Sequence, residues 1–156
     1  MITLIAAVAA NGCIGKGGKL VWHNKEDMAH FVKLTKGKAV LMGRKTWESI
    51  PEKFRPLSYR TNVVITRDKN YLLPDNVMSC ASVDEALKRL RLADIMVIGG
   101  AQIYAATVAK ADCLELTEIP TAIDGDAFFP KINPSTWKET VRINREGFAF
   151  VTYHKR

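Results

Sequence analysis

Residues 95–104 read IMVIGGAQIY. Four apolar residues run without a polar break into Gly99-Gly100, and QIYAATVA continues beyond them. A strand with no polar alternation is buried on both faces, and such strands belong to parallel sheets covered by helices. Residues 102–109 carry the helix, so this stretch is one strand–helix half of a crossover. The same reading extends outward. ITLIAAVA, AVLM ended by Gly43, TNVVIT and CLELTEI are further apolar strands. Helices are predicted from about Lys25 to Thr35, from about Thr46 into Pro51, and over SVDEALKRL. In the last of these, Ser82 is the N-cap and Glu85 the acid three residues on. KETVRIN and FAFVTYH around REG read as a closing hairpin. The expected fold is α/β. It is a single domain over residues 1–156 with a mixed, mostly parallel central sheet, helices on both faces and a C-terminal antiparallel hairpin.

Composition narrows the function classes. A 156-residue chain with 47% hydrophobic and 25% charged residues has room for one sizeable core. The net charge of +7 admits an anionic small molecule, a membrane surface or nucleic acid. The cations are scattered rather than gathered in a tail, which disfavours nucleic acid. Cys13, Cys80 and Cys113 lie far apart and lack CxxC spacing, so neither a disulfide framework nor a metal site is expected. No run is long enough to span a bilayer. The apolar start MITLIAAVAANG has no basic region before it, so a cytoplasmic protein is expected.

VWHNKED, residues 21–27, carries the main chemical question. Asn24 is a good N-cap, which places Asp27 at N3. Asp27 can then be a capping-box acid reaching back to the Asn24 amide. It also shares a helix stripe with Phe31 and Leu34/Thr35. If that stripe lines a cleft, Asp27 is a carboxylate in an apolar pocket and needs a cationic or donor-rich partner. A ligand with two adjacent N–H groups would satisfy both oxygens. Three strand ends carry anion-binding chemistry. Gly43 is followed by Arg44, Lys45 and Thr46 at a helix start, Thr66 and Arg67 end TNVVIT, and Gly99-Gly100 ends IMVI. Each has a plain reading as a solvated turn. VIGGAQIY is not GxGxxG, so the Rossmann fingerprint is absent.

Taken in order, LIAAVAANGCIG, LVWHNKEDMAHF, VLMGRKTWESI, RPLSYRTNVVITR, IMVIGGAQIY, LTEI and DGDAFFP resemble the dihydrofolate reductase family across nearly the whole chain. The resemblance implies NADPH-dependent reduction of 7,8-dihydrofolate to tetrahydrofolate, supporting one-carbon metabolism and thymidylate synthesis. It also implies a monomer that binds antifolates. Asp27 matches the family acid, accepting hydrogen bonds from the pterin and favouring protonation at N5. Trp22 and Thr117 match positions that hold a water or bond to Asp27. Ile5, Ala6, Ala7, Met28, Phe31, Ile50 and Ile98 would wall the pterin pocket. Leu57 would meet the benzoyl ring and Arg60 the glutamate α-carboxylate.

On the cofactor side, Gly43, Arg44, Lys45 and Thr46 match the segment beside the phosphates. Arg44, Thr66 and Arg67, with Ile65 ahead of them, are candidates for the adenosine 2′-phosphate. Gly99, Gly100, Ala101, Gln102 and Ile103 match the pyrophosphate loop, where the family usually has a cis peptide between the glycines. Tyr104 would sit near the nicotinamide, flanked by Ala7, Ile14 and Leu20. The loop from Asn11 to Lys19, including Gly15, would close over it, supported by Gly125 and Asp126.

Val21 replaces the usual proline before the tryptophan, Ala101 replaces a frequent third glycine, and His23 is unusual beside Trp22. His23 receives no catalytic role. Changes this close to the pocket point to altered antifolate sensitivity, including to trimethoprim. A related pyrimidine reductase of riboflavin synthesis should lack the acid matching Asp27 and the arginine matching Arg60, both present here. A nucleic-acid module should cluster its cations among exposed aromatics.

Overall fold

The computed structural model describes residues 1–156. β1 (Ile2–Ala9) opens the chain, and β2 (Cys13–Lys16) and β3 (Lys19–Leu20) follow it. Next come α1 (Lys25–Thr35), β4 (Ala39–Gly43), α2 (Arg44–Ser49), a 3-10 turn (Glu52–Phe54), β5 (Thr61–Ile65), β6 (Met78–Cys80) and α3 (Val83–Arg89). β7 (Ile95–Gly99), α4 (Ala101–Thr107), a second 3-10 turn (Val108–Lys110), β8 (Cys113–Ile119), β9 (Ala127–Phe128), β10 (Trp137–Arg145) and β11 (Phe148–Lys155) complete it.

Eight strands form one sheet in the order β10-β11-β8-β1-β7-β4-β5-β6. The pairs from β8 to β6 are all parallel. β11 runs antiparallel to β8 and β10 antiparallel to β11. The mixed, mostly parallel sheet with its terminal hairpin is therefore as expected.

Strand periodicity explains the layers. Leu4, Leu41, Val63 and Val97 point to one face, where Ala86 and Leu90 around α3 and Tyr104 of α4 cover them. Ile5, Val40, Met42, Val64 and Met96 point to the other, where Trp47 of α2 and Phe31 and Leu34 of α1 pack. Consecutive apolar residues thus serve two cores at once, which is why these strands lack alternation. The hairpin contrasts with this. In β10 only Trp137 is buried, because that strand is a sheet edge.

The structure corrects four details. The segment read as a loop after β1 contains β2 and β3, which join β9 in a separate three-stranded sheet. Its glycines do the turning: Gly17 and Gly18 have φ of 58° and 79° between the two strands. α2 begins at Arg44, earlier than Thr46, because Gly43 in extended conformation serves as its N-cap. α4 tightens into the 3-10 turn at Val108. β6 and the Glu52–Phe54 turn carry too little apolar pattern to announce themselves.

Candidate active site

Helix α1 starts as its sequence dictates. The Asn24 side chain accepts from the Asp27 backbone N–H at 2.9 Å. The Asp27 carboxylate does not return to Asn24. Its Oδ1 accepts from the Thr117 hydroxyl at 2.5 Å, across 90 residues of chain. This decides between the two readings of Asp27: the side chain faces the sheet. Burial pushes its carboxyl above the usual range, while the Thr117 hydroxyl and His30 hold it down. Asp27 is therefore a half-buried acid whose charged form has one protein donor and room for more.

Thr117 is placed by register. It pairs with Ala7 on β1 and with Phe150 on β11, so the row Ala7–Thr117–Phe150 floors this part of the cleft. Thr117 is 4% exposed, and a buried hydroxyl needs the partner that Asp27 provides. The expected pocket wall largely assembles on this face. Ile5, Phe31, Ile50, Leu57 and Ile98 all pack in or against one cluster. Met28 remains 56% exposed on the same helix, an apolar side chain left open at the cleft. Ala6 is the exception. Strand alternation turns its side chain to the α3/α4 face, so only its backbone is left to face the Asp27 side. Trp22 sits edge-on to Phe148 at 5.3 Å and shares a small apolar cleft with Ala7, Ile14, Leu20 and Val21.

Arg60 is not a loose loop arginine. Its Nη1 donates to Thr35 Oγ1 at 3.0 Å and its Nε to the Ser58 carbonyl at 2.8 Å. Thr35 in turn donates to the Phe31 carbonyl, so Arg60 is fixed to the stripe that begins at Asp27. Asn62, missed in the sequence, staples this rim. Its amide donates to the Leu57 and Arg60 carbonyls, and its oxygen accepts from the Leu57 N–H. The signal was available: an asparagine inside an apolar strand, here 2% exposed, must find backbone partners.

The strand ends of β4, β5 and β7 also converge, since Gly43 aligns with Ile65 and Met42 with Gly99. The Gly99–Gly100 peptide is cis. Gly99 has φ 123°, and a Cβ there would stand 3.3 Å from Tyr104 Oη and 3.5 Å from Thr46 Oγ1. Gly43 has an ordinary φ of −78°, but a Cβ there would crowd Ile103 Cγ1 at 3.2 Å. Bare backbone is therefore required at Gly99, where β7 turns into α4, and favoured at Gly43, where β4 turns into α2. Tyr104 is buried and donates to the Ile5 carbonyl at 2.6 Å; burial pushes its phenol well up. Its ring tilts on Phe129 at 5.0 Å. Ile14, Ile65, Ala101 and Ile103 pack with Tyr104 on the α3/α4 face.

The cations differ among themselves. Arg44 is engaged by Glu48 at 3.2 Å, and Glu48 also accepts from Tyr71 at 2.7 Å. Lys45 and Arg67 are exposed, as are Gln102 and Leu20; Thr66 is half-buried. The Thr66 hydroxyl accepts the Asp68 N–H at 3.1 Å. The Asn11–Lys19 segment is clasped from outside. Asp126 accepts from the Gly17 N–H at 3.2 Å, Lys16 pairs with Asp124 at 2.9 Å, and Asn11 exchanges hydrogen bonds with Ile123. A Cβ at Gly125 would collide with Cys13 Sγ at 2.4 Å, so the clasp needs that glycine.

Comparison with known proteins gives a consistent answer. The family model described as dihydrofolate reductase matches residues 1–155. A dihydrofolate reductase of Neisseria meningitidis is 46% identical over 159 residues, covering 97% of this chain and 96% of that protein. One of Mycobacterium tuberculosis is 37% identical over 163 residues, covering 99% and 98%. Among solved structures, dihydrofolate reductase from Enterococcus faecalis, complexed with NADP(H) and RAB-propyl, superposes with a TM-score of 0.89. It is 30% identical and covers 100% of this chain and 96% of that one. With the ordered segments, the sheet topology and the Asp27–Thr117 pair all in place, this chain belongs to the dihydrofolate reductase family.

Proposed function

We propose that this protein reduces 7,8-dihydrofolate to 5,6,7,8-tetrahydrofolate with NADPH, using Asp27 as the anchor of the pterin. The observation that carries this reading is the half-buried Asp27 carboxylate, bonded to Thr117 and framed by Phe31, Ile5 and the exposed Met28. A carboxylate in such surroundings favours a flat ligand that brings paired N–H donors. Its negative charge favours the protonated form of the substrate at N5, with water as the direct proton source. Arg60, fixed by Thr35, is the group for the glutamate carboxylate at the outer end.

The strand ends fit a dinucleotide. A Cβ at Gly99 would crowd Tyr104 and Thr46 and one at Gly43 would crowd Ile103, so both turns present bare backbone that a pyrophosphate could approach. Gly99 to Ile103, Thr46, Lys45 and Arg67 would hold it, with Arg44 exchanging Glu48 for phosphate. The bound cofactor supplies the hydride that reduces C6. The chain's own task is to align the two rings and exclude water, for which Ala7, Ile14, Leu20 and Trp22 form the apolar surround.

Two coarser properties accompany this. No helix is long and apolar enough to cross a membrane. We read the protein as cytoplasmic because Cys13, Cys80 and Cys113 are all free and buried. We read it as a monomer because the sheet edges resist pairing: β6 has three residues and β10 carries Lys138, Glu139, Arg142 and Arg145.

The direct test follows absorbance at the NADPH band. Loss of absorbance that requires both NADPH and dihydrofolate is the expected outcome. A rate unchanged by dihydrofolate overturns the reading.

A further inference from the structure

His30 lies three residues beyond Asp27 on α1, in a position the catalytic reading does not use. Its imidazole stacks on Phe150 with ring centroids 3.9 Å apart and planes at 22°. Phe150 is paired with Thr117, and Thr117 holds Asp27. Four groups therefore close a ring: Asp27, Thr117, Phe150, His30, and back along one helical turn. Adjacent on the same sheet face, Glu115 aligns with Thr152 and accepts its hydroxyl at 2.9 Å. His30 thus stands between two carboxylates, Asp27 on its own helix and Glu115 on the sheet beneath.

We propose that His30 is a positioning residue for the reaction, clamping the Asp27–Thr117 pair through Phe150 and coupling the charge on Asp27 to the charge on its own ring. This rests on the reading of Asp27 given above. The groups facing the imidazole are Asp27, Glu26 and Lys33 on α1 and Glu115 on β8. Arg145 of β10 stands over Phe150, 6.0 Å from the ring centroid, and is paired with Glu26, which mutes that carboxylate. Burial lowers the His30 pKa, Glu115 and Asp27 raise it, Lys33 lowers it and Glu26 raises it. Burial raises that of Asp27. The two shifts run toward each other, and the charge on each group acts on the other. A positive charge on His30 favours the ionised form of Asp27 and so opposes the effect of burial. At neutral pH the uncharged ring leaves the carboxylate to Thr117 and the ligand.

The test is an NMR titration of the ligand-free protein, following the Asp27 carboxyl carbon and the His30 ring. In His30→Gln the Asp27 midpoint should move upward by about 0.5 pH unit. In Asp27→Asn the His30 midpoint should move downward by a similar amount, because coupling is reciprocal. In turnover, His30→Gln should shift the acid limb of kcat/KM upward with the Asp27 midpoint. Midpoints that ignore the partner's substitution overturn the proposal. If His30→Gln does not fold, the Asp27→Asn arm alone decides it, since it reads His30 directly. Wild-type protein without dihydrofolate-dependent turnover overturns the functional reading instead, and leaves the measured coupling standing.

Discussion

Thr117, which holds Asp27, and Gly99 lie on strands separated only by β1, yet the two places are built from opposite materials. Around Asp27 the site consists of side chains: one carboxylate, one hydroxyl, and apolar walls from α1 and α2. Around Gly99 it consists of side chains left out, with Tyr104 and Thr46 already standing where a Cβ would point. The first suits a ligand that must be gripped at a few polar atoms in apolar surroundings. The second suits an extended anion met by backbone. A carboxylate site works by a costly charge, and a glycine site by close approach. Their failures should therefore differ in kind.

The largest expected effect is at the first place. Asp27→Asn should lower turnover on the order of 100-fold or more, the size associated with losing one electrostatic group in a reaction centre. Folding should not suffer with it. Burial raises the folded-state pKa of Asp27 above its unfolded value. The native state therefore binds more protons in that window, and stability falls as pH climbs through it. The asparagine removes this cost, so its unfolding midpoint at neutral pH should equal or exceed wild type. Equal losses of activity and stability would break the contrast.

Gly99→Ala should do the reverse. It places a side chain at φ 123° against Tyr104, and should destabilise by about 1–3 kcal/mol in urea unfolding. It should also weaken NADPH binding, read by fluorescence, while leaving the Asp27 titration in place. A stable variant with unchanged NADPH affinity would remove Gly99 from the cofactor side.

Thr117→Val sharpens the first place more gently. It deletes the donor that lowers the Asp27 pKa. The acid limb of kcat/KM should move to higher pH, with roughly a tenfold loss near neutrality, as for one hydrogen bond to a charged group. An unmoved pH profile would show that the Asp27 charge is set without Thr117.

Much of this was legible beforehand, for particular reasons. Ser82 announced α3, and its hydroxyl accepts the Glu85 N–H at 3.1 Å. Glu85 reaches back to the Ala81 N–H at 2.7 Å, one residue beyond the expected Ser82 amide. The glycine pair marked the end of β7. The segment after β1 was less legible, because Cys13–Lys16 pairs with Ala127–Phe128 from far along the chain. No local pattern encodes that partner. His30 escaped notice for a similar reason: a histidine on a helix gains meaning only from Phe150 and Glu115, which arrive from other strands.

The sequence by itself determined the long apolar strands of the central sheet, the capped starts of α1 and α3 and the glycine pair that ends β7. Those depend on local sterics, on capping and on the spacing of apolar residues, all contained within a few neighbours. Whether Asp27 capped its own helix or faced the sheet was settled only when β8 delivered Thr117 beneath it. A side chain with two available partners takes its role from the geometry that brings one of them within bonding distance, and that geometry exists only in the assembled sheet.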